Sequence, residues 1–189
     1  TTTFADQLRL HTQFRNKVIG VSLKDRSAVL STGYSANAAY WFAGGSEGVF
    51  TTSTYYMDSL PKWVSEYNSK KYPHQYASSV WKTLLPIETY TASGPDDTPY
   101  EGIFKGADRP TFPYDLSTLS PDYYKDKGLD IVRNTPFGNT MVTDMALLAL
   151  EHEGLGKDEE TDVLMISYSS TDHIGHQFGL TAIETQDTY

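Results

Sequence analysis

No cysteine occurs anywhere in the 189 residues, which excludes disulfides, thiolate metal sites and a cysteine nucleophile. Positive charge is also scarce: 15 Lys and Arg stand against 24 Asp and Glu, for a net charge of −9, and no Lys/Arg run exceeds two residues. Nonspecific nucleic-acid binding draws its affinity from neutralised phosphates, so no nucleic-acid partner is expected. An anionic substrate would need positive charge placed locally, by metals or a few cations. No apolar run approaches the roughly 18 residues that cross a bilayer, and no signal peptide begins the chain, so no membrane span is expected. Thr1 stands where an initiator Met would, and the chain reads as a mature or excised piece. Neither an internal repeat nor a low-complexity tract is present. What the chain does have is 14 Tyr, 8 Phe and 3 Trp, each able to bury a large area, so a core can form although only 39% of residues are apolar.

The most informative stretch is residues 162–179. Val163 to Ile166 is a short apolar run between acidic residues and a Ser/Thr cluster, which predicts a buried strand of a mainly parallel sheet. Ser169, Ser170, Thr171 and Asp172 follow as good helix N-caps at the strand's carboxyl end, where open α/β sheets bind ligands. On a helical turn Asp172 and His176 share a face, four residues apart. A carboxylate oxygen and an imidazole nitrogen would then converge on one point, as a zinc site requires. Gly175 would let a substrate oxygen or neighbouring segment approach closely. Residues 173–176 also spell the His-Ile-Gly-His of adenylate-forming tRNA synthetases, but the Lys-Met-Ser-Lys-Ser companion is missing and the chain is acidic.

Along the chain, residues 4–15 predict an amphipathic helix with Phe4, Leu8 and His11 at helical spacing, and residues 18–23 a buried strand. Lys24-Asp25-Arg26 follows. On an extended backbone Lys24 and Arg26 point together and Asp25 away, so two cations would meet a phosphoryl group at the strand's carboxyl end. Residues 27–30 then read as a second short strand. Residues 37–56 read as a hairpin around Gly44-Gly45-Ser46-Glu47-Gly48, its aromatics packing or stacking on a substrate. Residues 59–68 predict a helix capped by Ser59 with Pro61 in its first turn. From 69 to 138 prolines, glycines and tyrosines dominate, which predicts a loop-rich insertion with Trp81 and Tyr100 as core candidates. Residues 140–153 form the strongest predicted helix, capped by Asn139 or Thr140 and ended by Gly154. A last helix starts near Thr181.

Taken together, residues 18–30, 37–42, 50–56, 135–139 and 169–176 resemble the phosphate-irrepressible bacterial alkaline phosphatases. These belong to the alkaline phosphatase superfamily, beside the type I phosphodiesterases and nucleotide pyrophosphatases. The resemblance implies an α/β fold, part of a sandwich with a mainly parallel central sheet flanked by helices, plus a loop-rich α+β insertion. It divides the chain into an incomplete core at 1–56 and 136–189 and an insertion at 57–135. It implies that Asp172 and His176 ligate one zinc of a two-zinc centre, the one that binds the water of the second step. Lys24 and Arg26 would hold the transferring phosphoryl oxygens of a phosphate monoester. A threonine nucleophile and an Asp ligand would precede Thr1, and an Asp-His pair and a further His would follow Tyr189. The chain is therefore expected to be an internal fragment of a periplasmic or extracellular phosphomonoesterase that works through a phosphothreonine intermediate. Tyr34 follows Gly33 where many relatives carry Gly-His. Two other readings stand beside this one: a phosphodiesterase or nucleotide pyrophosphatase, and a structural module without catalysis of its own.

Overall fold

A computed structural model describes the backbone of all 189 residues and the side chains of all but Ser120, Asp122, Tyr123, Tyr124, Asp126 and Lys127. In chain order the elements are α1 (Phe4–His11), β1 (Val18–Ser22), α2 (Asp25–Thr32), β2 (Ala38–Ala43), β3 (Val49–Thr51), α3 (Lys62–Ser69), α4 (Tyr72–Tyr76) and β4 (Val80–Trp81). Then come β5 (Tyr114–Asp115), α5 (Leu116–Lys127), α6 (Pro136–His152), β6 (Val163–Ser167), α7 (Ser170–Phe178) and α8 (Ile183–Asp187), with 3-10 turns at Ile87–Thr89 and Leu129–Asn134. The chain divides into two compact units, one of residues 1–43, 49–70 and 140–168 and the other of residues 44–48, 71–139 and 169–189.

The first unit is built on a four-stranded sheet in the order β3-β2-β1-β6, with β1 parallel to both neighbours and β3 antiparallel to β2. β1 is Val-Ile-Gly-Val-Ser, buried throughout, as a strand covered on both faces must be. Gly20 at its centre has a packing reason. A Cβ there would lie 2.4 Å from the Ala28 carbonyl oxygen and 2.8 Å from Thr32 Cγ2, so the absent side chain lets α2 seat directly on β1. On α3, Trp63 meets Tyr40 edge-on at 5.1 Å, and Tyr67 meets Phe50 at 5.8 Å. Asn68 donates to the Phe50 carbonyl at 2.8 Å and accepts its N–H at 2.9 Å. A side-chain amide thus satisfies the free edge of β3 as a further strand would. Met141, Met145 and Ala149 of α6 are fully buried.

Several expectations for this unit change. Residues 27–30 lie inside α2 and are not a strand. A four-residue apolar run fits either period, and Thr32, whose hydroxyl bonds back to Ala28 at 3.0 Å, belongs to the helix. The first helix stops at His11, and it buries Ala5 and Asp6 while Phe4 is 70% exposed. Asp6 closes a capping box with Thr3, so a local polar motif, not the apolar stripe, fixes this end. β6 is the edge of the sheet and only half-buried, with Ile166 at 41% exposure. The helix of residues 59–68 exists as α3 but begins at Lys62, with no side-chain cap. α6 begins at Pro136, four residues ahead of Thr140, because proline suits the first turn of a helix.

The second unit has an aromatic core. Trp81 and Tyr114, paired across β4 and β5, pack with Phe104, Phe112 and Phe178 at centroid distances between 5.0 and 6.4 Å. The Trp81 indole N–H donates to Asp187 Oδ2 at 2.8 Å, and the Tyr114 hydroxyl donates to the fully buried Glu184. Tyr100, expected in the core, is 93% exposed. It sits in a turn between Pro99 and Glu101, where no period directs a side chain inward.

Candidate functional site

The two cations follow β1. Leu23 is fully buried, and the Lys24 backbone N–H donates to Ser22 Oγ at 3.2 Å, with Ser22 Oγ in turn donating to the Ser167 carbonyl at 3.1 Å. β1 and β6 therefore end level, with Ser22 opposite Ser167. Lys24 is extended (φ −109°, ψ 133°) and is the N-cap residue of α2, while Arg26 lies in the first turn of that helix. The expected alternation on an extended backbone therefore does not describe this segment, because the strand ends before the cations begin. Lys24 is half-buried and Arg26 exposed. A helix N-terminus carries partial positive charge and favours anions, so Arg26 gains nothing from its place in α2. Asp25, whose Oδ1 accepts the Arg26 backbone N–H at 2.7 Å, answers that end of the helix.

The acid and the imidazole lie on α7. Asp172 is in its first turn and His176 in its last, and Asp172 Oδ1 is 3.5 Å from His176 Nε2, with side chains 51% and 83% exposed. Two donors each about 2 Å from one tetrahedral ion stand roughly 3.3 Å apart. The pair is thus accessible and at a separation that two ligands of one zinc ion would have. Among the described residues no group of three or more His, Cys, Asp or Glu could hold a metal. Gly175 makes no close approach: a Cβ there would meet only Leu180 Cδ2, at an ordinary 3.6 Å.

What holds α7 in place leaves no mark in its neighbouring sequence. Ser169 makes no side-chain cap, and the Ser170 N–H instead donates to Asn139 Oδ1 at 3.1 Å. At the other end the Asn134 amide donates to the Gln177 side chain, and the Gln177 carbonyl accepts the Gly102 N–H at 2.7 Å. The cap comes from 31 residues away, where helix-signal reasoning looks only at neighbours. Ile174 and Phe178 bury the opposite side of α7. Asp172 and His176 are left outward, one turn apart.

Residues 11–189 match the family model described as type I phosphodiesterase / nucleotide pyrophosphatase. A protein of Myroides odoratus named calcium-transporting ATPase is 50% identical over 189 residues, covering 99% of this chain and 34% of that protein. The alkaline phosphatase PafA of Elizabethkingia meningoseptica is 47% identical over 189 residues, 100% of this chain and 34% of that protein. A crystal structure of wild-type alkaline phosphatase PafA matches with a TM-score of 0.91 at 46% identity, over 100% of this chain and 35% of that one. The chain thus spans about a third of the length of these relatives, at 34% and 35%, and shares the mixed α/β fold with parallel central strands flanked by helices.

Proposed function

Since the chain belongs to the type I phosphodiesterase / nucleotide pyrophosphatase family, we propose that it is part of a zinc-dependent phosphomonoesterase, an alkaline phosphatase. The observation that carries this reading is the chelating separation of 3.5 Å between Asp172 Oδ1 and His176 Nε2 on one face of α7. The names of the alkaline phosphatase relatives support it. Zinc, when bound, supplies a Lewis acid for a phosphoryl oxygen and a water acidified enough to act as nucleophile. Asp172 and His176 are two of the side chains proposed to hold it, and its remaining ligands are proposed to come from other parts of the whole enzyme. A threonine elsewhere in that enzyme is proposed to carry the phosphoryl group between the two steps. The 189-residue chain by itself is proposed to be inactive, and the whole enzyme to work in the periplasm or outside the cell.

Lys24 and Arg26 are proposed to hold the non-bridging oxygens of the phosphoryl group. A guanidinium offers a planar fork of donors and an ammonium a point charge. In a chain of net charge −9, a doubly charged monoester gains more from two such cations than a singly charged diester does. The family's own description favours a second reading, phosphodiester hydrolysis. The two readings separate in the full-length enzyme carrying this chain. With Lys24→Ala and Arg26→Ala, kcat/KM for a nitrophenyl monoester is expected to fall roughly 100- to 1,000-fold, and far less for the matching diester. Equal losses on both substrates would favour the diesterase.

A further inference from the structure

One cavity of the first unit touches the function proposed above only through Arg26, at its end. It has a volume of about 650 Å³ and runs along α2, from Asp25 and Arg26 at the first turn to Gly33 just past the last. Its walls include Tyr34, Trp41, Tyr55 and Tyr56. Sites for small organic molecules have this size and are mostly apolar with few polar groups. The rings are held rather than loose: the Tyr55 hydroxyl donates to the Tyr34 carbonyl at 2.7 Å, and the Tyr55 and Tyr56 rings meet edge-on at 5.1 Å. Yet Tyr34 and Tyr55 remain 75% and 66% exposed, and Leu30, also on the wall, 70%.

We infer that this cavity binds the flat, uncharged aromatic part of a phosphate monoester whose phosphoryl group is held at Arg26. The charge distribution selects this class. Arg26 carries the cationic side chain of the lining, and it stands at one end beside Asp25, while the other side chains of the wall are aromatic, aliphatic or hydroxylic. A ligand with its negative charge at one end and a neutral ring system behind matches that layout. A polyphosphate or a sugar phosphate would set charge or many hydroxyls against tyrosine and tryptophan faces, and these sites do not repay desolvation of such groups. Ring-on-ring contacts of this kind are worth up to tenfold each in affinity. The inference rests on the proposal that Arg26 contacts the phosphoryl group, and its test separates the two.

Inhibition constants are measured on the full-length enzyme for inorganic phosphate, methylphosphonate and phenylphosphonate, none of which is turned over. Phenylphosphonate is expected to bind roughly tenfold tighter than methylphosphonate. Tyr34→Ala with Tyr55→Ala brings that ratio to within about twofold of unity, and Tyr55→Phe, which keeps the ring, retains it. Unchanged thermal melting of the double variant separates loss of the rings from loss of the fold. A ratio that survives removal of both rings overturns the aromatic site, as does a methylphosphonate constant that weakens in step with phenylphosphonate. Arg26→Ala reports on the other proposal, since it should weaken all three inhibitors alike. If phosphate is indifferent to Arg26 while the phenyl preference collapses with the tyrosines, the cavity stands and the phosphoryl role of Arg26 falls.

Discussion

Asp6 and Glu184 are both buried carboxylates, 3% and 0% exposed, and their surroundings pull them in opposite directions. Asp6 accepts the Thr3 N–H at 2.9 Å, the Ser35 N–H at 2.8 Å and the Ser35 hydroxyl at 2.7 Å. These bonds, the one from the Thr3 backbone foremost, hold its carboxyl well below the ordinary range. Its charged form is favoured by folding, so its contribution is present above the usual carboxylate value near 3.8 and is lost as pH falls. Asp6→Asn is expected to cost about 2 kcal/mol at neutral pH, and to flatten the drop in urea midpoint that the parent chain shows between pH 5 and 2. Glu184 is the reverse case. Burial pushes it up to about 7, and its second oxygen has no hydrogen-bond partner among the described residues. Its neutral form is favoured by folding. The stability it gives is whole below 4.5 and is lost as pH rises through about 7, a change of roughly 3 kcal/mol. Glu184→Gln keeps an acceptor for Tyr114 and should abolish that decline. Thermal melts of both chains from pH 5 to 8 would show it, and parallel curves would refute the account.

The contact between β1 and α2 sets where the cations stand, and it depends on one residue. Gly20→Ala places a methyl 2.4 Å from a backbone oxygen of α2. The helix must retreat, and overpacking of this kind costs about 1–3 kcal/mol. On the proposed role of Arg26, which moves with the helix, the phosphate affinity of the full-length enzyme should fall together with the urea midpoint. A Gly20→Ala chain of unchanged stability would mean that α2 is not seated as described. The sequence carried a sign of this approach, a glycine inside a β-branched run, but the residues next to it hid the helix. Ser27-Ala-Val-Leu30 is too short for its period to separate helix from strand, so the turn at Lys24 went unread. By contrast, the glycine-rich turn of the hairpin and the four-residue spacing of Asp172 and His176 are local signals, and both were legible: Ala43 pairs with Val49, and the two donors share a face. Burial was harder to read than element type. Val163 to Ile166 is apolar enough for a central strand, yet it has a sheet neighbour on one side only among the described residues. Apolar residues record a need for cover, and the cover itself is a matter of tertiary partners. The Asn139 cap of α7 was out of reach for the same reason, since the side chain arrives from 31 positions earlier.

For the molecule as a whole, charge and donor number bound what this chain can do with a metal. A net charge of −9 raises the local concentration of divalent cations everywhere on the surface, so weak, scattered zinc binding is expected whatever Asp172 and His176 do. Specific binding is a different quantity. Catalytic zinc takes three protein ligands and structural zinc four, whereas Asp172 and His176 stand together as two and no group of three or more His, Cys, Asp or Glu among the described residues could hold a metal. Binding free energies of about 10–16 kcal/mol belong to complete four-ligand sites, and a two-ligand chelate should bind far more weakly. Competition against a chromophoric chelator at 0.15 M salt, which screens the scattered surface sites, would measure the specific part. Asp172→Ala and His176→Ala should each remove it, and Asp25→Ala, which takes away an exposed carboxylate elsewhere, should not. With zinc in excess the 189-residue chain should still release no nitrophenol from nitrophenyl phosphate above the buffer rate. Nanomolar zinc affinity, or turnover by this chain alone, would mean that it carries a complete metal centre. The pair on α7 would then have to find further ligands that its present geometry does not bring near.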